Sequence, residues 1–180
     1  MSQLDFESAV DSFYEGLYRF AYSLTGNADE ASELTQETFA RFLAKHGQIR
    51  DQAKTKAWLA TTLYRTFLGW KRREIRHPHI ELSQAEAELP ALSPAVLDSL
   101  EHASVHAALL QMEERYRVPV ALYYFEQLSY GEIAEVLEIP IGTVMSRLSR
   151  GKQMLRQALV LKTGQPAVND PKPRFKNLQN

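Results

Sequence analysis

The chain contains no cysteine. That excludes a disulfide framework, a thiolate metal site and a thiol nucleophile. Long hydrophobic runs are lacking too. No apolar stretch approaches the ~20 residues that span a bilayer, so no membrane insertion is expected. The acidic N-terminus lacks the basic-then-apolar order of a signal peptide, and a cytoplasmic location is expected. An excess of charge of one sign is also missing. The formal net charge is −1 and the pI about 6.5, which argues against a general polyanion binder. What is present is 44% hydrophobic and 24% charged residues in a chain of 180. That is too apolar for a disordered chain and suits one or two small soluble domains of roughly 100–150 residues or fewer.

The small net charge conceals segregation. Lys+Arg minus Asp+Glu is −7 over 1–37, then +4 over 38–63 and +4 over 64–80. It turns to −5 over 81–101 and −4 over 102–140, then to +5 over 141–162 and +2 over 163–180. Two local basic surfaces separated by acidic blocks suit one extended polyanion held at two points, or solvated helix faces.

The hydrophobic period is helical throughout, and nothing resembles a strand or a repeat. Phe6, Val10, Phe13, Leu17, Ala21 and Leu24 predict a helix over 4–24. Gly26 and Asn27 break it, with Asn27 able to cap a second helix over 28–46. Gln48–Thr55 reads as a polar loop and 56–76 as a third helix, stopped before Pro78. Residues 77–104 read as an acidic, proline-containing linker with a short helix near 94–100. Helices are then predicted over 103–125, 129–138 and 141–161, and 164–180 as a disordered tail. The fold class is therefore all-α: two small helical domains joined by a flexible linker, the C-terminal one a helix-turn-helix. The boundaries are 1–76, a linker over 77–104, 105–162, and a tail over 163–180.

Ser129-Tyr130-Gly131-Glu132 fits a capping box. Ile133, Ala134 and Leu137 then face inward, and the next helix presents Val144, Leu148, Leu155 and Leu159 on one side. Two short helices so joined make a helix-turn-helix. Gly142, Ser146, Ser149, Arg150 and Gln153 point away from the apolar stripe, with Arg147, Lys152 and Arg156 on its flanks. Small polar residues plus Arg suit entry into a major groove, Arg150 toward a guanine edge and Arg147 and Lys152 toward phosphates. A plain amphipathic hairpin with a solvated basic face is the alternative.

In the third helix Leu59, Leu63, Thr66, Phe67 and Trp70 form an inner stripe. Trp58, Arg65, Arg72 and Arg76 fall within about 40° of one another on a different side. Aromatics that stack on unpaired bases and arginines that track a backbone grip single strands; core tryptophans and idle arginines are the alternative. The second helix offers an acidic face of Glu30, Glu33, Gln36 and Glu37 beside Leu34 and Phe39, suited to a basic partner helix or simply to water.

Taken in order, these segments resemble the extracytoplasmic-function sigma factors of bacterial RNA polymerase, over about residues 5–162. Asp29-Glu30-Ala31-Ser32-Glu33-Leu34-Thr35-Gln36-Glu37-Thr38-Phe39 resembles the family's core-binding helix. Ala57-Trp58-Leu59 with Lys71-Arg72-Arg73 resembles the helix that melts and reads the −10 element. Leu128–Ala134 and Gly142–Leu148 resemble the helix-turn-helix that reads the −35 element.

The resemblance implies a non-enzymatic role in promoter recognition and melting, with no cofactor and no catalytic residue. It implies that Leu34, Gln36, Glu37 and Phe39 clamp the coiled coil of the polymerase's largest subunit. Gln48, Arg50, Asp51, Gln52, Lys54, Trp58, Arg65, Arg72, Arg73 and Arg76 would hold the −10 strands and a flipped base. Gly142, Thr143, Ser146, Arg147, Ser149, Arg150 and Lys152 would read the −35 duplex beside the polymerase flap. The linker would thread toward the active site, and an anti-sigma factor or other regulator is the implied partner. Departures from the family pattern are Met145 for a frequent Lys or Arg, Glu138 for a frequent Gly before the turn, Glu113 for a frequent Pro, and Thr55 and Arg65 near the −10 helix.

Two rivals stand beside this reading. A dimeric helix-turn-helix regulator explains 129–161 but leaves the N-terminal half without a role. A metal-dependent enzyme would use His102 and His106, spaced i, i+4, with His77, His79 and Glu81 nearby in sequence.

Overall fold

The computed structural model describes residues 6–45, 52–76 and 100–163. Among these residues there are seven helices and no strand: α1 (Phe6–Thr25), α2 (Ala28–Lys45), α3 (Gln52–Arg76), α4 (Leu100–Leu110), α5 (Glu114–Tyr124), α6 (Tyr130–Leu137) and α7 (Ile141–Thr163). The all-α class is as expected, with three helices before the gap at 77–99 and four after it. Most of the predicted linker, Gln48, Arg50, Asp51 and the predicted tail lie outside the described residues.

Local chemistry builds the first hairpin. Gly26 leaves α1 at φ +70°, a left-handed conformation that resists a side chain, and its N–H donates to the Tyr22 carbonyl at 2.8 Å. Asn27 then caps α2, its Oδ1 accepting from the N–H groups of Asp29 at 2.9 Å and Glu30 at 3.1 Å. The apolar stripes of α1, α2 and α3 meet in Leu17, Phe20, Leu34, Phe42, Leu59 and Leu63, all fully buried.

Two boundaries differ from the sequence reading. α3 begins at Gln52, earlier than the expected residue 56, because Thr55 is drawn into the core at 2% exposure. The single helix expected over 103–125 is broken between α4 and α5, with Glu113 extended at φ −57° and ψ 139°. No Gly or Pro marks that break in the sequence. A side chain one turn into the next helix closes it: Arg117 Nη1 donates to the carbonyls of Leu110 and Met112, both at 3.4 Å.

The C-terminal helices pack around α7, whose Val144, Leu148 and Leu155 are buried against α5 and α6. The two halves also dock on one another. α1 lies against α4 and α5, and α3 lies against α6.

Candidate nucleic-acid interface

Both ends of α6 are set by their own residues. Ser129 Oγ accepts from Glu132 N–H at 3.3 Å, and Glu132 Oε2 accepts from Ser129 N–H at 2.7 Å, which completes the capping box. At the other end of α6, Glu138 takes the left-handed conformation (φ 55°, ψ 42°) that glycine would supply more cheaply. Its N–H and that of Ile139 return to the last carbonyls of α6, so the turn forms without glycine.

That turn aims one face of α7 outward. Gly142, Ser146, Ser149, Arg150 and Gln153 are exposed, and no heavy atom lies within 4 Å of a Cβ placed on Gly142. Ser146 Oγ donates to Thr143 carbonyl at 3.0 Å. Thr143 and Arg147 are half-buried. Lys152 is not a free cation: its Nζ sits 3.7 Å from the Tyr123 ring centroid and 6.0 Å from that of Tyr130. Met145 and Ile141 are exposed apolar residues on the same helix.

On α3 the structure separates the sequence-predicted group. Lys54, Arg65, Arg72, Arg73 and Arg76 are exposed, Trp58 is half-buried with its ring 5.9 Å from Phe42, and the side chain of Gln52 is not described. Trp70 is also half-buried and donates from Nε1 to Glu37 at 3.2 Å. Arg65 is engaged by Glu138 across the halves at 2.6 Å, and Lys71 by Glu114 at 2.6 Å. Tyr64 lies in the same seam. Burial raises its hydroxyl above the ordinary value, Glu114 adds to this, and Arg147 opposes it. Arg147 thus belongs to the seam as well as to α7's flank. Sequence reasoning missed Lys71, Glu114 and Glu138 as partners across the seam, since no local pattern announces a contact between segments so far apart.

The acidic face of α2 needs correction. Leu34 (0% exposed) and Phe39 (5%) are core residues, Phe39 stacking on Tyr14 and meeting Phe6 edge-on. The helical period that places them beside Glu33 and Glu37 in sequence turns them inward in space. Gln36 is exposed, and Glu37 is partly so while pairing with Arg41 at 2.6 Å. His106 is buried, its ring stacked on Phe125 at 4.6 Å and edge-on to Tyr22 at 5.3 Å. Among the described residues no group of three or more His, Asp or Glu is placed to hold a metal ion, and His77, His79 and Glu81 lie outside them. No described helix is long and apolar enough to cross a membrane.

Among the described residues, seven helices that include a helix-turn-helix with exposed Arg150, and a second helix, α3, with exposed arginines, fit the class of two-part helical DNA-binding proteins. Residues 9–77 match the family model of Sigma-70 region 2, and residues 102–155 that of Sigma-70 region 4. The chain is 34% identical over 165 residues to the ECF RNA polymerase sigma factor SigE of Mycolicibacterium smegmatis, covering 89% of this chain but 64% of that protein. It is 32% identical over 146 residues to the ECF RNA polymerase sigma factor EcfG of Rhodopseudomonas palustris, covering 79% of this chain and 78% of that one. The solved structure of the sigma factor RpoE in complex with the anti-sigma factor NepR from Bartonella quintana superposes with a TM-score of 0.71 at 27% identity, over 89% of this chain and 99% of that one. The chain belongs to the extracytoplasmic-function (ECF) RNA polymerase sigma factors.

Proposed function

We propose that this sigma factor, working with core RNA polymerase in the cytoplasm, reads the −35 element with α7 and the −10 element with α3. The observation that carries the reading is the outward face of α7. Gly142, Ser146, Ser149 and Arg150 stand exposed in the first turns of α7, the helix that follows the capped α6 and its left-handed turn at Glu138. Small residues permit close approach to a major groove, and an Arg guanidinium supplies the bidentate donor that a guanine edge accepts. Arg147 joins them as a phosphate contact, and Lys152 lends its charge from its aromatic seat. On α3 the exposed Arg72, Arg73 and Arg76 stand near one end and the exposed Lys54 with the half-buried Trp58 near the other, cations and an aromatic edge along one helix. A base captured there would offset part of the few kcal/mol needed to extrude it, so opening and reading become one step.

Sigma factors are non-enzymatic initiation factors, and the chemistry belongs to the polymerase. Gln36 and Glu37 supply the exposed part of the core-docking face, over the fold that Leu34 and Phe39 support from within. The working division keeps 1–76, a linker from 77, a C-terminal unit to 162 and a tail over 163–180, with α4 (Leu100–Leu110) taking residues 100–104 out of the predicted linker 77–104. An anti-sigma factor is the fitting regulator, since the RpoE structure above holds one.

Run-off transcription from a library of −35/−10 sequences tests this. Core enzyme with this chain should initiate from a restricted set sharing both elements, and core enzyme alone should not. Initiation no more selective than that of core enzyme alone overturns the proposal.

A further inference from the structure

The outward face of α7 carries two large apolar side chains among its polar ones. Ile141 is 52% exposed and Met145 53% exposed. Their i, i+4 spacing sets them in one row at the N-terminal end of the helix. The row continues to Ser149, and Gly142 and Ser146 stand beside it. Nothing lies within 4 Å of the Cβ position of Gly142, so this end of α7 is open to an approaching surface. Gly142 has no side chain and both serines are short. Among these exposed neighbours Met145 therefore reaches furthest from the helix axis. Lys152, two turns on, is drawn onto the Tyr123 ring at 3.7 Å instead.

Two such side chains are too few to anchor a partner protein, since a stable interface takes about 800 Å² on each side. The row is also continuous with Ser149 and Arg150, which the −35 reading presents to a major groove. Of the groups that distinguish the bases in that groove, only the thymine 5-methyl is apolar; the others donate or accept hydrogen bonds. A thioether donates nothing and accepts weakly, so against a polar edge it would displace water without replacing its bonds. Against a methyl it loses no bond and removes carbon from water. Its three rotatable bonds let it settle on a methyl without a fixed angle of approach.

We propose that Met145, with Ile141 behind it, selects a thymine in the −35 element by contact with its 5-methyl group. The inference deepens the reading of α7 as the −35 helix and rests on it. Met145 and Arg150 lie about 140° apart around the helix, so the thymine and the base read by Arg150 belong to different pairs. Ser146 keeps its hydroxyl proton on the Thr143 carbonyl at 3.0 Å, so it places no competing donor beside Met145. Selection at the thymine comes from excluding water rather than from a hydrogen bond.

A change in the DNA alone tests this. Holoenzyme formed from core polymerase and the full chain is bound to a promoter taken from the run-off library. Each thymine of the −35 element, on either strand, is replaced in turn by deoxyuridine, which keeps every hydrogen-bonding group and lacks only the methyl. At one A·T pair the replacement should weaken binding about fourfold, the contribution of one buried methyl. Met145→Leu should keep that ratio and Met145→Ala should abolish it, both with the wild-type thermal melt because the side chain is exposed. Met145→Lys should also abolish it, and should steepen the salt dependence by about one released counterion. Equal binding of thymine and deoxyuridine at every −35 position, or a loss that Met145→Ala retains, overturns the proposal. It leaves the −35 reading standing if the promoter is still preferred over one with a scrambled −35 element. If that preference is absent in the wild type, the reading of α7 falls and the proposal with it. Weaker assembly of Met145→Ala with core polymerase, with thymine and deoxyuridine equal in the wild type, assigns the row to a protein contact and overturns the proposal.

Discussion

Adding one methyl group at two glycines of this chain should have opposite effects. Gly151 lies inside α7 and is buried against α5. A Cβ there would fall 2.5 Å from Val120 Cγ2, 3.3 Å from the Tyr116 carbonyl oxygen and 3.4 Å from Met112 Cε. Comfortable carbon contacts are about 3.5–4.0 Å. Val120 is 0% exposed and β-branched in a helix, so its rotamer has no free alternative. Gly→Ala within a helix gains about 1 kcal/mol, while overpacking a filled core costs about 1–3 kcal/mol. A contact this short to a stiff side chain belongs at the upper end, leaving Gly151→Ala less stable by about 1–2 kcal/mol. Gly69, inside α3, has nothing within 4 Å of its Cβ position, so Gly69→Ala should gain about 0.5–1 kcal/mol. Urea denaturation of the full chain, followed by far-ultraviolet circular dichroism, reads both as midpoint shifts of opposite sign. The clash also pushes α7 off α5 and re-aims Ser146, Ser149 and Arg150, so −35 selectivity should weaken with Gly151→Ala alone. Equal stabilisation by both substitutions would refute the close α5–α7 approach on which the aim of α7 depends.

Three further outcomes follow from the same geometry. Arg150→Ala should cost about 1–3 kcal/mol of promoter binding, felt at one −35 position, while core-enzyme binding in a pull-down stays unchanged. Ser129→Ala removes the α6 cap and should lower stability by about 0.5–2 kcal/mol in urea, with promoter selectivity falling as the turn loosens. The double change Glu33→Lys and Gln36→Lys reverses an exposed face of α2 without touching the core, and should weaken assembly with core polymerase while the thermal melt stays near wild type. Assembly at full strength would remove α2 as the docking face.

What could be read in advance was what is encoded within a few residues. The capping box at Ser129, the inward stripe of Val144, Leu148 and Leu155, and the Gly26-Asn27 break each depend on neighbours in the chain, and the structure places them as expected. What escaped depends on contacts at long range. The break at 111–113 is the local exception, closed by Arg117 one turn into the next helix with no Gly or Pro to signal it. Leu34 and Phe39 looked available for a partner because a hydrophobic period says which side is apolar, not what already covers it. The engagement of Arg65 and Lys71 by Glu138 and Glu114 belongs to the docking of two halves with acidic and basic blocks.

The central claim is that one chain grips a promoter at two separate places. Photo-crosslinking tests it most directly, with a reactive group placed in turn at Ser149 on α7 and at Arg72 on α3 in the complex with core polymerase and promoter DNA. The account predicts that the α7 probe labels the −35 duplex and the α3 probe the −10 strands, in one and the same complex. Labelling of a single element by both probes, or of polymerase alone, would contradict it.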